Sequence, residues 1–153
     1  PLKYSVVRLF NVYGEHQKNR FVMTKFVSSV CDNKPPLIYG DGKQVRSFCY
    51  VSDAAKGIVA ALFNQDSVCE TFNIGNDLEP ISVNDLVSKI IKLSGKNGLN
   101  PQFVSMESSD RSKEREVYNR IPSIEKAKRV LQYQPEVSLD DGIGRLIRHW
   151  NNS

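Results

Sequence analysis

The sequence is poor in the residue types that mark metal centres, disulfide frameworks and membrane spans. Its three cysteines, Cys31, Cys49 and Cys69, form no Cys-x-x-Cys pair, which argues against a zinc site or a disulfide framework. The two histidines, His16 and His149, are too far apart in sequence for a metal signature. No stretch approaches the roughly 20 apolar residues of a membrane helix, and no signal peptide is visible. The composition favours a reduced, cytoplasmic setting without a metal.

Strong charge of either sign is also missing. The formal net charge is +4, and the sequence has no run of five like charges and no basic helix, so neither a nucleic-acid nor a membrane partner is expected. At 153 residues, with 40% hydrophobic and 25% charged residues, the chain can bury the core of one domain. It begins at Pro1 and runs directly into a strand pattern, so we expect a fragment of a longer chain.

Strand and helix patterns alternate in the first part of the chain, and helices dominate the later part. A buried strand is predicted over residues 4–10, a short strand over 71–75 and another over 102–104. Residues 106–120 are polar and charged and predict a loop. The predicted helices cover residues 20–32, 53–65, 82–95, 123–132 and 138–150. The sequence thus predicts the α/β class, with an α/β body and a helical lobe.

Residues that favour helix N-termini precede three of these helices. Ser52 and Asp53 predict the cap of the second helix, and Ser138 predicts the cap of the last. Ser82 followed three residues later by Asp85 resembles a capping box, because the hydroxyl and the acid can satisfy free amides of the first turn.

The stretch 38–53 organises the chain and predicts a strand, a glycine turn, a second strand and a helix start. Gly40 and Gly42 bracket Asp41, and glycine readily adopts the positive φ of a tight turn. Arg46 lies in the strand-like part, where its guanidinium must face solvent, a carboxylate or an anionic ligand. From this stretch alone a surface charge is the simpler interpretation, and a phosphate contact is the alternative.

Two asparagines lie near the ends of predicted strands. Asn11 follows the strand 4–10, and Asn73 lies near the end of the strand 71–75. Ligands of open α/β sheets bind beyond the carboxyl ends of the strands, and an amide offers both a donor and an acceptor. A simple turn residue is the alternative interpretation of Asn11.

Five sequence motifs follow one another along the chain: RLFNVYG at 8–14, YGDGKQVRSFCYVSD at 39–53, FNIG at 72–75, SIEKAK at 123–128 and QPEVSLDDG at 134–142. In this order and spacing they resemble the C-terminal half of the NAD-dependent sugar-nucleotide epimerase/dehydratase family, the extended short-chain dehydrogenases. The resemblance covers nearly the whole chain. It implies a Rossmann-like fold in which residues 1–34 end the Rossmann-like body and residues 35–153 form a substrate-binding lobe interleaved with a returning strand and helix.

The resemblance also implies roles for individual residues. In the family, the residues matching Asn11 and Arg46 contact the substrate diphosphate, the one matching Tyr39 packs near the nucleobase, and the one matching Asn73 lies by the nucleotide. Two planar guanidiniums can bind a diphosphate in a bidentate manner, and a tyrosine face offers stacking area to a base. The implied ligand is therefore a nucleotide-diphosphate sugar.

The second arginine of the diphosphate site and the cofactor contacts are implied less directly. Arg111 is the candidate for the second arginine, and Lys113 or Arg115 could serve instead, because the loop does not match the family's usual pattern. Leu9 and Phe10 should line the nicotinamide side of an NAD site. The resemblance places most of the NAD contacts in a preceding half of the protein and implies a homodimer for the full-length protein.

The family's two best-known motifs are absent from this sequence. It contains no Gly-x-x-Gly-x-x-Gly fingerprint and no catalytic Tyr-x-x-x-Lys. Tyr39 and Lys43 have the spacing of the catalytic pair, but the intervening Gly-Asp-Gly predicts a turn, in which the lysine cannot lie one helical turn from the tyrosine to lower its pKa. We therefore expect no catalytic residue in this chain, which by resemblance begins shortly after the catalytic lysine.

Three hypotheses follow. The chain is the substrate-binding half of an NAD-dependent sugar-nucleotide epimerase, dehydratase, decarboxylase or reductase, with the sugar and base left open. Alternatively, it is a non-catalytic nucleotide-sugar-binding or interaction module that lacks the redox half. In the third, it is a truncated product whose first strand has lost its neighbours, and the exposed apolar edge then predicts self-association.

Overall fold

The computed structural model describes residues 2–105 and 117–152 and divides the chain into two compact units. Unit 1 comprises Pro1–Tyr13, Ser47–Pro80 and Ile121–Leu139. Unit 2 comprises Gly14–Arg46, Ile81–Arg120 and Asp140–Ser153. Each unit is thus assembled from three separate stretches of sequence.

Within the described residues, short strands and helices alternate along most of the chain. The strands are β1 (Val6–Leu9), β2 (Val12–Tyr13), β3 (Leu37–Tyr39), β4 (Val45–Arg46), β5 (Cys49–Tyr50), β6 (Thr71–Ile74), β7 (Ile81–Ser82), β8 (Gln102–Val104) and β9 (Asn119–Arg120). The helices are α1 (Val22–Cys31), α2 (Val51–Phe63), α3 (Val83–Ser94), α4 (Glu125–Leu131) and α5 (Leu139–Asn151).

Unit 1 is built around two parallel strand pairs, β1 with β6 and β2 with β5. Its core is apolar and draws on β5, α2, β6 and α4. Gly57 of α2 allows close packing here, because a Cβ at this position would lie 2.7 Å from Cγ2 of Ile74. The buried members of this core are Cys49, Ala54, Ala61, Phe72, Ile74, Ile124, Ala127, Leu131 and Tyr133.

Unit 2 contains a helix pair and two small sheets. Helix α1 packs against α3, and the predicted helical spacing accounts for the contact because it places the apolar residues of each helix on one face. Strand β3 pairs with β8 in parallel. Strand β4 lies between β7, to which it is antiparallel, and β9, to which it is parallel.

The predicted capping of α3 is confirmed, whereas that of α2 is wrong. Ser82 precedes α3, and its hydroxyl accepts a hydrogen bond from the Asp85 amide at 3.1 Å. Helix α2 begins at Val51 after an extended Tyr50, with no side-chain cap. Asp53 lies inside the first turn and points to a distant segment of the chain, so tertiary contacts override the local capping preference.

The strand predictions need three corrections. The predicted buried strand 4–10 is the shorter β1, and its Val6 and Leu9 are exposed, because among the described residues β1 pairs only with β6. The predicted second strand of the 38–53 stretch is two strands, β4 and β5, which belong to different sheets. The predicted loop 106–120 ends in β9. The self-association expected from an exposed apolar edge stays a prediction.

Candidate functional site

The Gly-Asp-Gly segment of unit 2 forms a tight turn, as predicted. Gly40 and Gly42 have φ values of 75° and 69°, in the region that L-residues rarely adopt. The Asp41 carboxylate accepts the Lys43 amide at 3.0 Å and closes the turn locally. Tyr39 and Lys43 therefore flank a turn and do not share one face of a helix, so they lack the arrangement of a catalytic tyrosine–lysine pair.

Asn84, at the start of helix α3, holds the Gly-Asp-Gly turn in place through two hydrogen bonds. Its side-chain amide donates to the Asp41 carbonyl at 2.9 Å, and its backbone amide donates to the Gly42 carbonyl at 3.0 Å. A Cβ at Gly42 would lie 2.0 Å from Oδ1 of Asn84, so only glycine fits there. Sequence reasoning missed Asn84, because the contact joins residues 43 positions apart.

Arg46 follows this rigid turn on β4, and the backbone holds its guanidinium. Nη1 donates to the carbonyl of Val45 at 2.8 Å and to that of Tyr118 at 2.9 Å. The Val45 amide donates to the same Tyr118 carbonyl at 2.9 Å. The predicted partners were solvent, a carboxylate or an anion, so these two carbonyl anchors are a finding of the structure. They orient the guanidinium at the boundary between β4 and the segment leading into β9.

The remaining predicted residues of unit 2 are only partly placed. Tyr39 ends β3, is partly buried and pairs with Val104 of β8. Its position beside a nucleobase stays a prediction. Arg111, Lys113 and Arg115, the candidates for the second arginine, lie outside the described residues.

In unit 1, Asn11 ties the turn after β1 to the segment before β5. It adopts a φ of 40°, which asparagine tolerates better than most residues. Its side-chain amide donates to the Ser47 carbonyl at 2.8 Å, and its own carbonyl accepts the Cys49 amide at 3.2 Å. These bonds give Asn11 a structural role, and its substrate contact stays a prediction.

Asn73, Leu9 and Phe10 lie toward the carboxyl ends of β1 and β6. Asn73 pairs with Arg8 across the two strands, and its side-chain amide donates to the Ser123 carbonyl at 3.0 Å. The Phe10 amide donates to the Ile74 carbonyl at 3.0 Å, whereas the Leu9 side chain is exposed. Four predicted residues of unit 1 thus lie near the carboxyl ends of β1 and β6: Leu9, Phe10, Asn11 and Asn73. Tyr39 and Arg46 belong to unit 2.

Asp53 is a buried acid whose role sequence reasoning misassigned. The side chain is fully buried, and Oδ2 accepts the amides of Glu136 at 3.0 Å and Val137 at 2.9 Å. The first turn of α2 favours a negative charge because of the helix dipole. Asp53 thereby connects the start of α2 to residues 136–137, a long-range link that the local sequence pattern does not reveal.

Three buried acidic groups of unit 1 are held neutral. Burial raises the pKa of Cys49 to about 11, and burial raises the pKa of Tyr13 and of Tyr133 as well. The Cys49 thiol lies 3.5 Å from the Tyr133 hydroxyl, which donates to the Gly75 carbonyl at 2.9 Å. These groups serve packing and give the protein no nucleophile at neutral pH, because the thiolate is the reactive form of cysteine.

Stability should therefore fall as the pH rises from about 9 to 11, because the unfolded chain loses these protons before the folded one. The contribution is fully present below the ordinary pKa of the thiol, and each group adds a slope of at most about 1.4 kcal/mol per pH unit, reached where the unfolded chain has lost the proton and the folded chain still holds it. Urea denaturation over this range measures the slope. Cys49→Ala should reduce the slope of unfolding free energy against pH by the contribution of one titrating group. A pH-independent free energy of unfolding in the wild type would contradict the account.

The described residues contain neither a candidate membrane-spanning helix nor a candidate metal-binding cluster. In residues 2–105 and 117–152, no helix is long and apolar enough to cross a membrane. The same residues contain no group of three or more histidine, cysteine, aspartate or glutamate side chains that could hold a metal ion.

Comparison with known proteins places the chain in a family. Residues 1–75 match the model of the NAD dependent epimerase/dehydratase family. UDP-glucuronate 4-epimerase from Thermodesulfobacterium geofontis is 32% identical over 150 residues, which are 98% of this chain and 43% of that protein. The chain belongs to the NAD-dependent epimerase/dehydratase family. UDP-glucuronic acid decarboxylase 1 from Arabidopsis thaliana is also 32% identical, over 96% of this chain and 32% of that protein.

A solved structure agrees with this assignment. UDP-glucuronic acid 4-epimerase from Bacillus cereus, in complex with UDP-glucuronic acid and NAD, aligns with a TM-score of 0.84 and 32% identity. The alignment covers 97% of this chain and 45% of that one. The chain thus spans less than half the length of each of these family members. The predicted α/β, Rossmann-like fold class is confirmed.

Proposed function

We propose that this chain is the nucleotide-diphosphate-sugar-binding part of an NAD-dependent sugar-nucleotide-modifying enzyme. Family membership supports the proposal, as do the UDP-sugar epimerase and decarboxylase among its relatives. Because these two relatives catalyse different reactions, the choice between epimerase, dehydratase, decarboxylase and reductase is left open. The homodimer of the full-length protein and the division of this chain at residue 34 are proposals that rest on the family resemblance alone.

The anchored guanidinium of Arg46 is the observation that carries this proposal. Two backbone carbonyls orient it, and the glycine turn that precedes β4 is fixed by Asn84. A guanidinium held in place loses less conformational entropy when it binds an anion than a freely rotating one does. Its planar fork matches the oxygens of a phosphate group, which makes a diphosphate its natural ligand.

The proposed roles of the other predicted residues rest on the family resemblance. Asn11 and Asn73 supply polar groups near strand ends, and Tyr39 offers an aromatic face to a base. Leu9 and Phe10 are apolar residues at the end of β1, and we assign them to the nicotinamide side of an NAD site, where NAD would supply hydride transfer. Residues 1–153 contain neither the family's dinucleotide fingerprint nor its Tyr-x-x-x-Lys pair. We therefore assign this chain substrate binding and orientation, and no proton transfer.

Arg46→Ala should weaken the binding of UDP by roughly 1.5–3 kcal/mol, the scale of a hydrogen bond to a charged group. Calorimetric titration of the purified chain with UDP and with uridine measures the effect, and uridine binding should change little because it lacks phosphate. The UDP affinity of Arg46→Lys should lie between those of the wild type and Arg46→Ala, because lysine keeps the positive charge but lacks the planar guanidinium.

The matched control is Arg129→Ala, which removes an exposed arginine from α4 and should leave UDP binding unchanged. Equal UDP affinity in the wild type and in Arg46→Ala would refute the diphosphate role. The alternative function, a nucleotide-sugar-binding module without a redox half, predicts the same binding results. A turnover assay of the full-length protein with NAD and UDP-glucuronic acid separates the two functions.

A further inference from the structure

The loop that follows helix α3 contains an asparagine followed directly by a glycine. Asn97-Gly98 is the only Asn-Gly pair in the sequence. In such a pair the backbone nitrogen of the glycine can attack the side-chain carbonyl carbon of the asparagine, because glycine has no Cβ to hinder the approach. The attack closes a succinimide ring. It requires a change of backbone angles, so the surroundings of the two residues decide whether it occurs.

The structure places this pair in an exposed turn. The Leu99 amide donates to the Lys96 carbonyl at 2.9 Å, which makes Asn97 and Gly98 the central residues of the turn. Both are exposed, and neither has a positive φ, as in a type I turn. Apart from its chain neighbours, no atom of the described residues lies within 4 Å of the position that a Cβ on Gly98 would take. The space around the turn therefore permits the backbone rotation that ring closure requires.

Two other asparagines show what distinguishes Asn97. Among the described residues, neither the Asn97 side chain nor the Gly98 amide takes part in a hydrogen bond. Asn76, by contrast, is buried, and its side-chain oxygen accepts a backbone amide at 2.9 Å. Asn100 is exposed in the same loop as Asn97, but it precedes Pro101, whose nitrogen carries no proton to lose. Asn97 alone of the three combines an unrestrained side chain with a backbone N–H that can become the nucleophile.

Two Asp-Gly pairs are open to the same ring closure, but the fold restrains them. In the turn before β4, Oδ1 of Asp41 accepts a backbone amide at 3.0 Å, and Gly42 is buried against the Asn84 side chain. Asp141-Gly142 lies in helix α5, where Gly142 is buried, so ring closure would require the helix to open. The geometry therefore favours reaction at residue 97 over both aspartates.

We propose that Asn97 is a site of spontaneous covalent modification, at which the Gly98 nitrogen displaces the side-chain amide. A bond forms between this nitrogen and Cγ of Asn97, and the bond from Cγ to Nδ2 breaks. Water carries the proton lost by the Gly98 nitrogen to the departing group, which leaves as ammonia. A second water then opens the ring at either carbonyl and leaves an aspartyl or a β-aspartyl residue. No oxidant or reductant takes part, and the inference does not depend on the proposed function.

The modification changes both the charge and the backbone of the loop. A carboxylate replaces a neutral amide, which lowers the formal net charge of the chain from +4 to +3. The new charge lies just beyond the C-terminal end of α3, where the helix dipole disfavours an anion. The β-aspartyl product also adds a carbon to the main chain inside the turn, so the hydrogen bond from the Leu99 amide to the Lys96 carbonyl should be lost.

The test is incubation of the purified chain at mildly alkaline pH, followed by ion-exchange chromatography and peptide mass spectrometry. A more acidic species should accumulate, with aspartyl and β-aspartyl forms at residue 97 and Asn100 unchanged. Gly98→Val should abolish most of this species, because a β-branched side chain hinders the approach of the nitrogen. The matched control is Asn100→Ala, which should convert as fast as the wild type. Asn97→Asp should elute with the acidic species from the start.

Three results would overturn the inference: no acidic species in the wild type, conversion at an asparagine other than Asn97, or equal conversion rates in the wild type and Gly98→Val. A parallel incubation in urea tests whether the fold restrains Asp41. A β-aspartyl residue should form at position 41 only in the unfolded chain, and its formation in the folded chain would contradict the selectivity for Asn97. Circular dichroism confirms that the samples without urea retain the fold.

Discussion

Replacing Asp53 with alanine should lower the free energy of unfolding by about 2–4 kcal/mol, because two backbone amides lose their acceptor and the buried site loses volume. The amides are those of Glu136 and Val137, which donate to the same carboxylate oxygen. Urea denaturation measures the loss. Hydrogen exchange locates it, because the amides of residues 136 and 137 should lose protection first.

Two variants show whether the carboxylate acts as described. Asp53→Asn keeps an acceptor oxygen for the two amides, so its cost should be smaller than that of alanine. Asp66→Ala removes an exposed acid from the turn after α2 and should change stability by less than about 0.5 kcal/mol. If Asp53→Ala unfolds at the same urea concentration as the wild type, the link between α2 and residues 136–137 contributes nothing to stability.

Phe72→Ala should cost about 3–5 kcal/mol of unfolding free energy, the range observed when a buried phenylalanine is truncated and a cavity remains. Phe72 lies on β6 with 0% of its surface exposed, inside the core of unit 1. The neighbours that would have to close the cavity are themselves held by α2 and α4, which limits collapse. Thermal and urea denaturation both report the change.

The chain offers a matched control in Phe63, the last residue of α2, which is 78% exposed. Phe63→Ala makes the same chemical change and should shift stability by no more than about 0.5 kcal/mol, because the side chain leaves no cavity behind. Similar losses from both variants would show that Phe72 is not packed as the structure describes. A loss confined to Phe72→Ala supports the assignment of the core.

The glycine turn and α3 could be predicted because their causes are local. Gly40 and Gly42 supply positive φ values on either side of Asp41, and Ser82 caps the helix that follows it. The helix Val22–Cys31 follows from apolar residues at helical spacing in the same way. In these segments each residue's preference agrees with the structure around it.

The burial of β1 and the cap of α2 could not be predicted correctly, because distant residues decide both. An apolar strand pattern indicates burial only if neighbours cover it, and among the described residues β1 has β6 alone beside it. Asp53 has the properties of a cap residue, yet its carboxylate is used by amides more than 80 positions away. A local pattern cannot show which of two possible partners a carboxylate will bind.

By itself the sequence determined the α/β class, the glycine turn and Arg46 as the candidate phosphate-binding residue. The order and spacing of its motifs also indicated the family. Only the tertiary structure decided that backbone carbonyls anchor Arg46, that Asn84 fixes the turn and that Arg120 lies opposite Arg46. The physical reason is strand register. Hydrogen bonding between β4 and β9 brings together residues 74 positions apart, and no local preference encodes that pairing.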